Sequence, residues 1–161
     1  MRKFEKISFK QFKKDIGNDK KLYDKIELPK RSTTNSAGYD IKSAINEVIH
    51  PGESKVIKTG LKVSMNEDEV FYIFDRSSLG FKYDVFLSNS VGVIDSDYYN
   101  NEDNEGHFAI KLINLGKNDF TVNVGARIAQ GVFMKYLTVD DEEKIIKRRK
   151  GGIGSTDKEE K

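Results

Sequence analysis

The chain has no cysteine, only two prolines, and no long apolar run. Without cysteine, neither a disulfide framework nor a cysteine-ligated zinc site can form, and a reducing compartment is compatible. No window approaches the ~20 consecutive apolar residues that a membrane span requires. The opening stretch, MRKFEKISFKQFKKDIG, lacks the continuous apolar segment of a secretory signal. An excess of one charge is missing too. Lysine and arginine number 28 against 26 aspartates and glutamates, and the net +2 argues neither for nor against nucleic acid. These absences lead us to expect a soluble, cytoplasmic protein with no membrane contact.

What is present indicates a folded β protein. Ten phenylalanines and seven tyrosines supply large apolar surfaces, so 34% charged residues do not imply disorder. At 161 residues the chain is most simply one domain with a sizeable core. In residues 8–16, Phe9, Phe12 and Ile16 recur at helical spacing, with Ser8 as N-cap and Gly17 as stop. From Leu22 onward the pattern changes to short runs rich in Val, Ile, Tyr and Phe, such as EVFYIFD, HFAIKLINLG and RIAQGVFMKYL, separated by Gly, Asn, Asp and Ser. IKLIN and FTVNV alternate with period two, as half-buried strands do. The fold class is all-β, with one short N-terminal helix. NNEDNEGH, residues 100–107, reads as a hairpin tip or surface loop.

Candidate chemistry is scattered along the chain. VGVIDSDYYN places Asp95 and Asp97 two apart after an apolar run. On a strand both would share a face, the arrangement metal-assisted hydrolysis needs, although an acidic turn is the plainer alternative. DRSSLGFK offers a guanidinium, two hydroxyls and a glycine, the groups that hold phosphate oxygens, with a Ser-rich turn as alternative. GARIAQG sets Arg127 and Gln130 on a strand-like run, and NSAGYDIKSA sets Asp40 after a glycine and an aromatic, where a β-turn aspartate is the bland reading. GGIGST is neither a Walker loop nor a dinucleotide fingerprint. His50 and His107 lie far apart, offer no metal-ligand spacing, and read as surface residues. The basic run at residues 144–150 adjoins acidic residues and reads as a solvated face.

Taken in order, AGYDIKSA, RSSLGFK, GVIDSDYYN, GARIAQG and GGIGST resemble the five motifs of the trimeric dUTPase family, of bacterial or phage type, across residues 28–156. The resemblance implies a distorted jelly-roll and a closed homotrimer whose active sites are shared between chains. It implies hydrolysis of dUTP to dUMP and pyrophosphate with Mg²⁺, keeping uracil out of DNA and supplying dUMP for dTMP synthesis. Carried over residue by residue, Asp95 is the water-activating carboxylate and also meets the 3′-hydroxyl. Tyr98 packs on the deoxyribose and refuses a 2′-hydroxyl by clash. Asn89 stands near the uracil edge, and main chain around Val93, Ile94 and Ala109 completes base recognition. Arg76, Ser77, Ser78, Gly80 and Gln130 belong to the phosphate site. Asp40 orders water around the magnesium ion. In the tail, Arg148 (with Arg149 as alternative), Ser155 and Thr156 face the γ-phosphate, while Ile153 and Gly154 form the lid. The implied layout is a helical extension at residues 1–20, a β domain at 21–143, and a flexible lid arm at 144–161.

The chain departs from the family pattern at several points. Asp75 stands where proline is usual, YNNEDNEGH replaces a short Arg-Gly turn, Ile153 replaces an aromatic, and Asp157 replaces a glycine. A dCTP deaminase would need an arginine soon after the serine pair, where Leu79-Gly80-Phe81-Lys82 stands. A non-catalytic β-module that uses the nucleotide pocket as a switch for a regulatory protein partner is the alternative from another class. A nucleic-acid module resting on the basic run lacks an aromatic-basic stripe. If the tail is a lid that excludes water from the reacting centre, cutting the chain after Lys150 should leave a folded trimer with crippled turnover. Circular dichroism, mass and pyrophosphate release measured together would test this.

Overall fold

The computed structural model describes residues 1–142 and Gly151. In chain order its elements are β1 (Lys3–Lys6), α1 (Phe9–Asp15), α2 (Lys20–Lys25), β2 (Lys30–Arg31), β3 (Tyr39–Lys42), β4 (Glu47–Ile49) and β5 (Ser54–Ser64). They continue as β6 (Glu69–Phe74), α3 (Ser77–Tyr83), β7 (Val85–Leu87) and β8 (Gly92–Asp95), followed by a 3₁₀ turn (Ser96–Tyr98). The last are β9 (Phe108–Asn114), β10 (Phe120–Val122) and β11 (Arg127–Lys135). Strands dominate, as expected from the alternating runs. They form a four-stranded sheet β1-β5-β9-β7, a five-stranded sheet β2-β3-β11-β6-β8, and a β10-β4 pair. The pairs with assigned register are antiparallel.

The core lies between the sheets, where alternation sends every second side chain inward. β9 reads buried at Phe108, Ile110 and Leu112, with Ala109, Lys111 and Ile113 less covered. Phe71 of β6 is fully buried and is the hub of an aromatic cluster, with ring centroids 4.8 Å from Phe133 and 5.4 Å from Phe4. Gly131 sits opposite Ile73 because a Cβ there would fall 1.9 Å from the Phe71 ring.

The helix content exceeds the single N-terminal helix expected. α1 forms as its pattern indicates, with the Ser8 hydroxyl accepting the Gln11 N–H at 3.1 Å. A strand precedes it and a second helix follows. β1 pairs along β5, and Ile7 and Phe12 are fully buried in the same core as the rest of the molecule. SSLGFKY is helical, whereas the sequence offered a Ser-rich turn. Serine and glycine are poor helix formers, but Leu79 is anchored in the core and tertiary burial overrides propensity. Residues 99–107 are not the tip of a hairpin. β8 pairs with β6 and β9 pairs with β5 and β7, so the loop crosses from one sheet to the other.

The expectation for His107 is overturned. His50 is exposed, but the side chain of His107 is only 2% exposed. A bulge shifts the β5–β9 register between Lys58 and Leu61, and Gly60 adopts φ +70° there. The bulge turns the Gly60 N–H out of the ladder, and it donates to His107 Nε2 at 2.9 Å. A backbone amide can only donate, so the imidazole proton resides on Nδ1, which faces the Asp15 carboxylate at 2.6 Å. Nothing in the sequence marks this pairing across 92 residues.

Burial pushes the His107 imidazole below its ordinary 6.5, and the adjacent Asp15 carboxylate offsets that only in part. Among the other charged neighbours, Lys58 acts with burial and Glu105 against it. The unfolded chain therefore takes up a proton near 6.5 that the folded protein refuses. Stability is complete above that pH and falls as pH drops below it. Denaturation midpoints should fall between about pH 7.5 and about pH 5.5, and the fall should be shallower in His107→Gln. Exposed His50, whose partner Asp119 raises its affinity for protons, shifts stability in the opposite direction. The comparison between the two proteins isolates His107, and urea titrations across the range would check it.

Candidate active site

Three of the sequence motifs converge because three strands are neighbours. β11 lies between β3 and β6, which puts Gln130 opposite Asp40 on one side and opposite Phe74 on the other. Arg76 follows two residues after β6 ends. Asp40 is therefore on a strand, not in the β-turn of its bland reading, and it becomes the centre of the cluster. Its Oδ1 accepts from Arg76 Nε at 3.1 Å and its Oδ2 from Arg127 at 3.3 Å. The Ser32 hydroxyl donates to the same Oδ2 at 2.7 Å. Burial alone would raise the Asp40 carboxyl, but Ser32, Arg76 and Arg127 together outweigh it and hold the group below the ordinary carboxylate range. One carboxylate thus orients two guanidiniums whose remaining N–H groups are free of it. Arg76 also reaches Ser78 Oγ at 3.4 Å. The surroundings are basic, since Lys30, Arg31, Lys42 and Arg127 share a cleft with Asp40 and Glu27. Such a constellation suits an oxyanion-rich ligand.

α3 carries Ser77, exposed, into a neighbouring hollow with Asp75, Arg76, Gly80, Phe81 and Phe86, while Ser78 is partly covered and lies outside that lining. Gly80 permits a close approach there, as a Cβ would lie 3.0 Å from the Phe86 ring. Asp75 is the residue that sequence reasoning undervalued. Proline is usual at its position and would stiffen the turn covalently. Here the turn is tied instead by hydrogen bonds. The Asp75 carboxylate accepts the Leu87 N–H at 2.6 Å, and its carbonyl accepts from Gln130 Nε2 at 2.9 Å. Ser32 joins the cluster from outside the expected set, and Arg127, noted beside Gln130 in GARIAQG, meets Asp40 as well. Only the β2–β3 pairing brings Ser32 to Asp40, and no local signal in the sequence announces it.

The third motif stands elsewhere. β8 pairs with β6 so that Asp95 is opposite Val70 and Gly92 opposite Ile73. Arg76 lies past the opposite end of β6. At ~3.3 Å per residue, Val70 and Asp75 are about 17 Å apart along the strand. One chain therefore does not bring Asp95 to the phosphate-type cluster. Asp95 and Asp97 do not share a strand face either, because the chain turns into a 3₁₀ helix after Asp95. Val93 is exposed while Ile94 is buried, so only Val93 presents a side chain outward. Asn89 is exposed in the preceding turn, where its Nδ2 donates to the Val91 carbonyl at 3.3 Å. Tyr98 is mostly buried, and its hydroxyl donates to the His107 carbonyl at 3.0 Å. Ala109 lies on β9, opposite Lys58. Arg148, Arg149, Ile153, Gly154, Ser155 and Thr156 lie outside the described residues, as does most of the arm at 144–161.

Among the described residues, no group of three or more His, Asp or Glu could hold a metal ion by itself. A divalent ion that keeps its waters and takes oxygen ligands from a phosphorylated substrate fits this donor set, with Asp40 as the carboxylate nearby.

Comparison with known proteins gives a consistent result. A family model described as dUTPase matches residues 24–157. A deoxyuridine 5′-triphosphate nucleotidohydrolase of Lactococcus lactis subsp. lactis is 51% identical over 132 residues, which cover 81% of this chain and 88% of that protein. One from Coxiella burnetii (strain RSA 331 / Henzerling II) is 38% identical over 145 residues, covering 86% and 91%. The crystal structure of a dUTPase from Streptococcus mutans superposes with a TM-score of 0.71 at 42% identity, covering 85% of this chain and 98% of that one. A mutant dUTPase from phage phi11 of S. aureus, solved for the coordination of a structural Mg(II) ion, shares the fold at a TM-score of 0.67 and 21% identity.

The Asp75 tether yields a prediction. Burial raises the Asp75 carboxyl above its ordinary 3.8, and the Leu87 amide counters this only in part. A raised carboxyl favours the folded state at acid pH, and that contribution is lost as pH rises through the folded value. Asp75→Asn keeps an acceptor for Leu87 and removes the buried charge, so it should be at least as stable as the parent at neutral pH. Asp75→Ala orphans the Leu87 N–H and should cost about 1–3 kcal/mol. Urea denaturation of both variants would check the pair.

Proposed function

The chain belongs to the dUTPase family, and from that premise we propose that it hydrolyses dUTP to dUMP and pyrophosphate in sites shared between the chains of a homotrimer. The observation that carries this reading is the strand pairing that sets Asp40, Arg76 and Gln130, from three separate motifs, side by side. The separation of Asp95 from that cluster along β6 supports a shared site, because a neighbouring chain has to supply the missing end. Residues 21–143 form the catalytic β domain, residues 1–20 its N-terminal extension, and residues 144–161 the arm that closes over the nucleotide.

In this reading Asp95 holds a water in line with the α-phosphorus and accepts its proton as the new P–O bond forms. The bond from the α-phosphorus to the α,β-bridging oxygen breaks, and pyrophosphate leaves. Arg76, Ser77, Ser78 and Gln130 hold phosphate oxygens, and Gly80 lets the chain come close to them. These groups are preorganised. Asp40 fixes the Arg76 guanidinium and the Asp75 carbonyl fixes Gln130, so little reorganisation is needed as charge moves. Bound Mg²⁺ would neutralise phosphate charge, with Asp40 ordering water around it. Tyr98 packs on the deoxyribose and leaves no room for a 2′-hydroxyl. Asn89, with main chain near Val93, Ile94 and Ala109, meets the uracil. Among the described residues no helix is long and apolar enough to cross a membrane, and we place the enzyme with the nucleotide pool in the cytoplasm. There it would keep uracil out of DNA and supply dUMP.

The test is Asp95→Asn in a pyrophosphate-release assay with dUTP and Mg²⁺. Turnover should fall by roughly 10²–10⁴-fold, the usual contribution of a general base, while binding of a non-hydrolysable dUTP analogue persists. Normal turnover in that variant would reject Asp95 as the base. No pyrophosphate from the parent enzyme would reject the function.

A further inference from the structure

Two features of the chain lie outside the ordinary family pattern, and in the structure they meet. The family model begins at residue 24, so β1 and α1 precede it. The loop at residues 99–107 takes the place of a short turn. Four residues of that loop, Tyr99, Asp103, Glu105 and His107, are held by the N-terminal residues. The Tyr99 hydroxyl donates to Glu5. The Ser8 N–H donates to Glu105 at 2.8 Å, as does the Ser8 hydroxyl at 2.5 Å. Lys14 donates to the Asp103 carbonyl at 3.0 Å. Asp15 faces His107 Nδ1 at 2.6 Å, and Gln11 Nε2 steadies the same carboxylate at 2.9 Å.

The loop in turn determines where Tyr98 stands. The Tyr98 hydroxyl donates to the His107 carbonyl and accepts from Asn104 Nδ2 at 2.8 Å. The Tyr98 carbonyl accepts from Asn101 Nδ2, also at 2.8 Å. Gly106, at φ +82°, folds the loop against this carbonyl, and a Cβ there would approach it to 2.7 Å. Three residues in the loop adopt left-handed backbone, Asn100, Glu105 and Gly106. Hydrogen bonds within the loop brace it, from the Asp103 and Asn104 N–H groups to Asn101 Oδ1 at 3.1 Å and from the Gly106 N–H to Asn104 Oδ1 at 3.0 Å. The N-terminal residues tether the braced loop, and one tether is the line Asp15–His107–Tyr98, whose middle member is pinned on its other side by the Gly60 N–H.

We propose that Asp15 is a positioning residue for the sugar end of the active site, acting through His107 to set Tyr98, so that β1 and α1 are a working part of substrate selection. This rests on the dUTPase reading and on Tyr98 as the group that packs on deoxyribose. Loosening His107 lets the Tyr98 ring drift, which weakens contact with the deoxyribose and opens space for a 2′-hydroxyl.

The experiment measures kcat and KM for dUTP and for UTP in Asp15→Ala, Asp15→Asn, Tyr99→Phe and Asn114→Ala, together with melting temperatures. Asparagine at position 15 still offers His107 Nδ1–H an acceptor. Asn114→Ala, at the far end of β9, removes hydrogen bonds to the Ile49 and Asn118 carbonyls, at 2.8 Å each, that do not lead to the loop, and serves as the structural control. Asp15→Ala should lose about tenfold in kcat/KM for dUTP, most of it in KM, and its preference for dUTP over UTP should shrink by a similar factor, a modest misplacement effect. Asp15→Asn should recover most of both. Tyr99→Phe should shift the preference in the same direction by less, and it stands in if Asp15→Ala does not fold. Asn114→Ala should lower the melting temperature and leave the preference unchanged. The proposal is overturned if the Asp15 and Tyr99 variants lose stability as the control does while KM and the dUTP/UTP preference stay at parental values. A parent enzyme inactive on dUTP would instead refute the function itself.

Discussion

Strand β6 sets the terms for everything else in the molecule. It pairs with β11 along one edge and β8 along the other, and its own length separates what the two edges carry. The β11 edge delivers Gln130 and, through β3, Asp40 to the end where Arg76 emerges. The β8 edge delivers Asp95 to the opposite end. Because a strand advances by a fixed rise, no side-chain rearrangement within one chain closes that gap. The interior of β6 is held equally firmly. Phe71 fills the space above Gly131, and the aromatic cluster around it ties the five-stranded sheet to β1 through Phe4.

The charged cluster is ordered by one shared carboxylate. Asp40 takes hydrogen bonds from Ser32, Arg76 and Arg127, which leaves the site net cationic but oriented. Without that carboxylate the two guanidiniums would repel each other. The Asp75 tether follows similar logic by another route. A hydrogen-bonded aspartate does the work of a proline ring in shaping the turn before Arg76, and its carbonyl also aims Gln130.

The far end of the molecule shows the same economy of means. The Gly60 bulge leaves an amide that needs an acceptor, His107 supplies it, and the requirement for Nε2 to accept forces the imidazole proton toward Asp15. One irregularity in β5 thereby links the N-terminal helix to the loop that seats Tyr98.

Much of this was legible in the chain itself. The short apolar runs predicted β6, β9, β10 and β11, Ser8 predicted the start of α1, and the five ordered motifs, confirmed by family membership, carried the activity. Those signals are local, and local patterns dictate local structure. What could not be read needed partners distant in sequence. The helix at α3 depends on burial of Leu79, not on the propensity of Ser77, Ser78 and Gly80. The burial of His107 depends on a bulge 47 residues away and a carboxylate 92 residues away. The same is true of Ser32 and Arg127 at Asp40. The sequence by itself determined the strands, the family and the chemistry available to the site. Only the tertiary structure decided which of those groups stand together and which stand a strand's length apart, because register and bulges are settled by packing between segments that share no local pattern.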